Sequence, residues 1–319
     1  MKTSNVCFKT VIKCIWYILV IVFTSAYLYR NLDTVVLTIR QLSWEKIVFA
    51  LIALILGKIC LSFNMKYSLR SIDKHFPFIT CFHIYNISQL GKYAPGNFWH
   101  FIGRIGFYKN LNLSFKEIRS TMILEILFII IGSFCFGLLF LFFSPDFLKI
   151  FSEYYPSSKI IMMAVVPGVI FSIGLIAIIK KQFFAKVLRT INENRILNIK
   201  ITAIQFMIWL SLGLSFYFVV SPYESGIKVS ALTTGLFALA YLIGFLFVIA
   251  PAGIGVREFV LVSGLSLINV SPDVAISVVG VHRMLYIIAE VFLATMGSLL
   301  FSYFQRRPGL PKTGRLSGG

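Results

Sequence analysis

The sequence ITAIQFMIWLSLGLSFYFVV occupies residues 201–220 and contains no charged side chain. Twenty apolar residues in a helix are about 30 Å long, which is the thickness of the hydrocarbon core of a bilayer. Residues 160–179 and 229–250 are equally free of charge. These runs lack the alternation of barrel strands, and lipid offers no partner to an unpaired backbone amide. They therefore predict transmembrane helices.

The whole chain has the same apolar character. Its 319 residues are 58% hydrophobic and only 13% charged, which is too apolar for a water-exposed surface. The predicted spans are 12–30, 44–65, 120–143, 160–180, 201–220, 228–250 and 274–304, with two irregular apolar segments at 83–107 and 254–271. We expect an all-α, polytopic transmembrane helix bundle formed by one domain, 1–305, and a polar, disordered cytoplasmic tail at 306–319.

The basic residues indicate a membrane partner. Lys and Arg number 30 against 12 Asp and Glu, and they lie in short loops beside the apolar runs. There they orient the protein and contact anionic headgroups. The loop 180–200 carries six basic residues against one acid, which predicts a cytoplasmic position. Because no basic and aromatic soluble module accompanies them, we expect no nucleic-acid partner.

The orientation set by these loops predicts a re-entrant hairpin. Both ends of segment 83–107 fall on the cytoplasmic side, so this segment enters the membrane and returns. Its middle, Gly91 to Asn97, would interrupt a helix, because Pro95 lacks an amide donor and the glycines accept turn dihedrals. The same reasoning predicts about eight crossings plus the hairpin, with both termini on the inner side of a bacterial cytoplasmic membrane.

A second break, PAGIGVRE, occupies residues 251–258. Two broken apolar segments, one in each half of a chain, are typical of transporters that bind their substrate near the membrane midplane. In the alternative interpretation, Pro and Gly only shape tight turns. The sequence leaves both interpretations open.

Charged side chains inside apolar runs are costly and usually face a bundle interior or water. The candidates are Lys58, Lys92, Arg104, Glu125, Arg257, Glu258, Arg283 and Glu290. Lys58 is expected to extend to the headgroups, because it lies in the second half of its helix. Glu258 could bind at the site or satisfy the start of its own helix. Arg283 and Glu290 lie two turns apart on one face, too distant to pair directly.

The positive excess among these candidates suits a lipid phosphate, because Arg makes planar two-point contacts with phosphate oxygens. The candidate substrate-binding residues are Lys92, Tyr93, Pro95, Gly96, Asn97, Arg104, Glu125, Gly253, Gly255, Arg257, Glu258, Arg283 and Glu290. A purely structural network of these charges is the alternative. The five Cys and four His are dispersed, so no metal site, cofactor or catalytic residue is predicted.

The run GKYAPGNFW at residues 91–99, followed by Arg104 and Glu125, resembles the lysylphosphatidylglycerol synthase transmembrane-region family. The block at 251–258, with Arg283 downstream, resembles it too. This resemblance implies a membrane domain that translocates lipid, related to stand-alone proteins of envelope glycan and lipid pathways. Because about fifteen polar residues follow the last predicted span, we do not expect a soluble aminoacyltransferase domain.

The leading hypothesis is a lipid flippase or lipid-handling transporter acting on an anionic or carrier-linked lipid in envelope biosynthesis. A second hypothesis is a non-transporting membrane partner that docks a glycosyltransferase through the loop 180–200. A third, less favoured because no catalytic motif is present, is an integral-membrane transferase that uses Glu125, Glu258 or Glu290 as a base.

Overall fold

The computed structural model of the protein describes residues 32–93, 99–144, 195–247, 253 and 255–306. The predicted spans 12–30 and 160–180 lie outside these ranges, as do Pro95, Gly96, Asn97, most of the loop 180–200 and the tail beyond Arg306. The predicted number of crossings, which depends on two of these segments, stays a prediction.

All regular secondary structure in the described ranges is helical, so the all-α prediction is confirmed. The helices are α1 (Leu32–Gln41), α2 (Trp44–Arg70), α3 (Phe78–Leu90), α4 (Trp99–Asn110), α5 (Phe115–Phe142), α6 (Arg195–Val220), α7 (Ile227–Leu246), α8 (Val256–Ser266) and α9 (Pro272–Gln305), with a 3₁₀ turn at Gly91–Tyr93. Five of them, α2, α5, α6, α7 and α9, are long and apolar enough to cross a membrane. Each corresponds to a predicted span.

Helix α5 begins five residues before its predicted span because its start is capped. The Ser114 side chain accepts a hydrogen bond from the Glu117 amide, and the Glu117 carboxylate accepts one from the Ser114 amide at 2.8 Å. This reciprocal pair satisfies amides that a helix start leaves without partners. The helix therefore starts where its capping residues lie, before the apolar run begins.

Helices α2 and α6 form the centre of the bundle. A Cβ atom added at Gly57 of α2 would lie 2.8 Å from Cγ of Leu212, so the two helices approach closely there. Trp209 and Phe216 of α6 are fully buried beside this contact. Small residues at such contacts are a usual means of packing helices in lipid, where the hydrophobic effect between helices is weak.

Helices α3 and α4 form an antiparallel hairpin. Next to the turn, the Cβ position of Gly91 lies 2.8 Å from the backbone N of His100. Further along, Arg104 contacts Ser88, and the ring of Phe107 packs on His83. The arms have 13 and 12 residues, or about 20 and 18 Å, which is too short to cross a bilayer. This geometry agrees with the predicted hairpin; its depth in the membrane stays a prediction.

Helices α7 and α8 form a second antiparallel hairpin around the other break. The Cβ position of Gly244 lies 3.2 Å from Cβ of Arg257, and Gly264 packs against Leu236 at the far end. Helix α8 has 11 residues, about half the length that a crossing needs. The predicted crossing by this segment therefore also stays a prediction.

The replacement Gly253→Ala is expected to destabilise the second hairpin. Gly253 has φ +68°, which L side chains rarely adopt, and an added Cβ would lie 3.0 Å from the Gly244 Cα. We expect a loss of about 1–3 kcal/mol, measured as a lower melting temperature of the purified protein. The control Gly280→Ala places its Cβ in open space, so it should not lower the melting temperature. Equal melting temperatures for Gly253→Ala and the wild type would contradict the close approach.

Candidate functional site

The site is centred on the buried carboxylate of Glu290 in α9, which is 2% exposed. Its Oε1 atom accepts hydrogen bonds from the ammonium groups of both Lys58 and Lys92. Its Oε2 atom accepts a hydrogen bond from the Tyr93 hydroxyl at 2.5 Å. One carboxylate thus joins α9 to α2 and to the turn of the first hairpin.

The expectation that Lys58 extends to the headgroups is wrong. Its side chain is 2% exposed and its ammonium group pairs with Glu290 inside the bundle. The same group lies 3.7 Å from the centre of the Tyr286 ring. A buried counter-charge and an aromatic face replace the water that the ammonium group would otherwise seek.

Tyr286, one helical turn before Glu290, brings the two hairpins together. The ammonium group of Lys92, from the turn of the first hairpin, lies 5.0 Å from the centre of its ring. The guanidinium carbon of Arg257, from the start of α8 in the second hairpin, lies 5.0 Å from the same ring centre. The two broken segments therefore meet at one aromatic side chain. We call Lys58, Lys92, Tyr93, Arg257, Tyr286 and Glu290 the Glu290 site.

Arg257 differs from the two lysines of the site because, among the described residues, it contacts aromatic rings without also pairing with a carboxylate. Its guanidinium carbon lies 4.3 Å from the ring centre of Phe237 and 5.4 Å from that of Tyr241, and the residue is 6% exposed. Among the described residues, no carboxylate forms an ion pair with it.

The Glu290 site therefore carries excess positive charge. Among the residues that the structure describes, three cationic side chains, Lys58, Lys92 and Arg257, accompany one carboxylate, Glu290, which leaves an excess of two positive charges. Uncompensated charge in a buried position is costly, although the aromatic faces offset part of this cost. The arrangement favours the entry of an anion.

Arg104 and Glu125 lie in a separate ion pair. The Nη1 atom of Arg104 donates to Glu125, its Nε and Nη2 atoms each lie 3.3 Å from the Ser88 hydroxyl, and the Tyr85 ring covers the guanidinium group. Both charged residues are 3% exposed. The pair fastens α4 to α3 and α5, which supports the structural interpretation for these two residues.

Glu258 and Arg283 form a third, more exposed arrangement. The Gly255 amide donates to Oε2 of Glu258 at 2.7 Å, so Glu258 satisfies the start of α8. The other carboxylate oxygen lies 3.6 Å from Nη1 of Arg283. Although Arg283 and Glu290 share one face of α9, they pair with different partners. Gly253 and Gly255 shape the turn that precedes Arg257, with φ values of +68° and +86°.

The sequence-based site list missed several residues of this interior. Lys58 and Tyr286 are part of the Glu290 site, and Asn64 of α2 links two further helices. Its side-chain amide donates to the Glu125 backbone carbonyl at 3.3 Å, and its carbonyl accepts from Gln205 at 2.9 Å. The available signal was the presence of polar side chains within otherwise apolar spans, which is unfavourable in lipid unless they meet a partner.

The predicted site residues thus fall into groups. Lys92, Tyr93, Arg257 and Glu290 come together, whereas Arg104 with Glu125 and Glu258 with Arg283 form separate pairs. That any of them binds substrate stays a prediction.

Comparison with known proteins places the whole chain, rather than the site, in a family. No curated protein matches the sequence. The profile of the family described as lysylphosphatidylglycerol synthase TM region matches residues 10–294, which is most of the chain. The protein is therefore a multi-pass membrane protein that belongs to the lysylphosphatidylglycerol synthase transmembrane-region family.

Proposed function

We propose that the protein binds an anionic or carrier-linked lipid at the Glu290 site and moves it across a bacterial cytoplasmic membrane, in envelope lipid or glycan biosynthesis. The observation that carries this proposal is the excess positive charge where the two hairpins meet. A lipid phosphate brings negative charge to this place, and Arg257 offers a planar group for two-point contact with its oxygens.

The position of the two hairpins supports movement as well as binding. Lys92 lies in the turn of one hairpin and Arg257 directly follows the turn of the other, and both face α9 through Tyr286. In many transporters, interrupted segments of this kind line the substrate site and move relative to a fixed bundle. Here the fixed part is α9 with α2, which is joined to it by the Lys58–Glu290 pair.

Translocation can be measured with the purified full chain in phospholipid vesicles. Phosphatidylglycerol or, in a parallel preparation, phosphatidic acid with a fluorescent acyl chain is placed in both leaflets, and a membrane-impermeant quencher is added outside. We expect the inner-leaflet probe to become quenched faster than in protein-free vesicles. Rates equal to those of protein-free vesicles for both lipids would contradict transport. The glycosyltransferase-partner hypothesis would then lead if a glycosyltransferase co-purified in a manner dependent on the loop 180–200.

A further inference from the structure

We infer that a bound phosphate accepts the hydrogen bonds of Lys92 and Tyr93 that Glu290 accepts in this structure, and that the ligand carries a terminal phosphate with two negative charges, as a phosphomonoester or diphosphate headgroup does. This inference rests on the proposed function, since it names the lipid class that the same site takes. A phosphodiester headgroup such as that of phosphatidylglycerol carries one negative charge and is expected to bind less well.

The charge of the Glu290 site favours a ligand with two negative charges. Lys58 and Glu290 neutralise each other deep in the bundle, where their side chains are 2% and 1% exposed. Lys92 and Arg257 then remain as two positive charges without a second carboxylate among the described residues. A phosphomonoester carries about 1.5 to 2 negative charges at pH 7 and balances both, whereas a phosphodiester balances one.

The arrangement of the hydrogen-bond donors around Glu290 suits a terminal phosphate. The two oxygens of Glu290 accept from two ammonium groups and one phenol, which come from two places in the chain, α2 and the turn of the first hairpin. A terminal phosphate has three strong acceptor oxygens and can accept from such a set of donors. The carboxylate therefore holds the donors together when no phosphate is present, so binding does not have to assemble them.

The unequal burial of the two lysines indicates which of them changes partner. The Lys92 side chain is 13% exposed, against 2% for Lys58. Lys92 Nζ and Arg257 Cζ each lie 5.0 Å from the centre of the Tyr286 ring, so they are at most 10.0 Å apart. A phosphate between them would take Lys92 and Tyr93 from Glu290 and leave Lys58 in place. This exchange would free the turn of the first hairpin from α9.

The first test compares two anionic lipids. The purified full chain is equilibrated with equal amounts of three lipids, and the retained lipids are quantified by mass spectrometry. The lipids are phosphatidic acid (a phosphomonoester), phosphatidylglycerol (a phosphodiester) and phosphatidylcholine (a zwitterion). We expect phosphatidic acid to exceed phosphatidylglycerol by about tenfold, because one more charge is balanced in a partly desolvated site. Equal enrichment of both anionic lipids over phosphatidylcholine would overturn this inference alone. No enrichment of either anionic lipid would overturn the proposed function too.

The second test removes the negative charge of Glu290. Glu290→Gln should melt at a lower temperature than the wild type without lipid, because Lys58 and Lys92 lose their counter-charge. Phosphatidic acid should raise its melting temperature more than that of the wild type, since the competing carboxylate is gone. Loss of phosphatidic acid binding in this variant would overturn the inference. Glu117→Gln, at a surface carboxylate paired with Lys74, is the matched control and should leave lipid preference unchanged.

Two further experiments test the same inference. If Glu290→Gln does not fold, Lys92→Gln serves instead. Because it removes one positive charge, it should shift the lipid preference from phosphatidic acid toward phosphatidylglycerol. An unchanged lipid preference would overturn the inference. Glycerol 3-phosphate and inorganic phosphate carry the same terminal group without acyl chains. We expect neither to displace phosphatidic acid at equal concentration. Displacement by either would assign the site to a soluble phosphate compound and overturn the lipid assignment.

Discussion

Arg257→Ala is expected to reduce lipid translocation to the rate of protein-free vesicles, while the protein keeps most of its stability. Arg257 is the cation of the Glu290 site without a carboxylate partner among the described residues, so its removal leaves no acid unpaired. Its replacement removes contacts with aromatic rings but leaves no buried charge without its partner, so we expect a smaller loss of stability than for Arg104→Ala. The measurement is the fluorescent-lipid assay in vesicles, together with the melting temperature of the same preparation.

Two variants make this result specific. Arg119→Ala removes the same side chain from an exposed position of α5 and should translocate lipid at the wild-type rate. Arg257→Lys keeps the positive charge but loses planar two-point contact with phosphate, so we expect an intermediate rate. Wild-type translocation by Arg257→Ala would remove this residue from the lipid site.

Arg104→Ala is expected to have the largest effect on stability. It would leave the Glu125 carboxylate buried without its cation and would remove the contact with Ser88 that joins the arms of the first hairpin. Breaking a buried pair on one side typically costs about 3–5 kcal/mol. The melting temperature and the monodisperse fraction of the purified protein measure this loss.

The double replacement Arg104→Met with Glu125→Met separates a structural role from a binding role. It exchanges the buried pair for apolar side chains, which is often neutral for stability. We expect the double variant to recover stability relative to Arg104→Ala and to translocate lipid. A stable double variant without translocation would show that Arg104 or Glu125 takes part in lipid handling.

The sequence predicted the general architecture because lipid imposes simple rules on it. A run such as 201–220 has to be helical and long enough to span, and helix α6 covers it. The break around Pro95 and the break around Gly253 were readable from residues that disfavour helix interiors. Helix α1 was not predicted, because its ten residues are too few to produce a spanning signal.

The pairing of the charges was not readable from the sequence. Periodicity places Arg283 and Glu290 on one face of α9, but it gives no information about the helices opposite that face. Lys58 was assigned to the headgroups from its position in the second half of its helix, since a partner 232 residues away gives no local signal. From the sequence, Arg104 and Arg257 were likewise equal candidates for binding substrate. Only the fold shows that Arg104 has a buried carboxylate partner, whereas aromatic rings surround Arg257.

The long sequence separation of the Glu290 pairs has a consequence for biogenesis. Lys58 and Lys92 precede Glu290 by 232 and 198 residues. At the usual speed of translation, a ribosome needs roughly 10–50 s to make the longer of these intervals. During that time the early helices enter the bilayer with two ammonium groups that lack their carboxylate. The two ammonium groups gain their counter-charge only when the last helix is inserted. A nascent chain that stalls before α9 would therefore present unpaired ammonium groups to the cell's protein quality control.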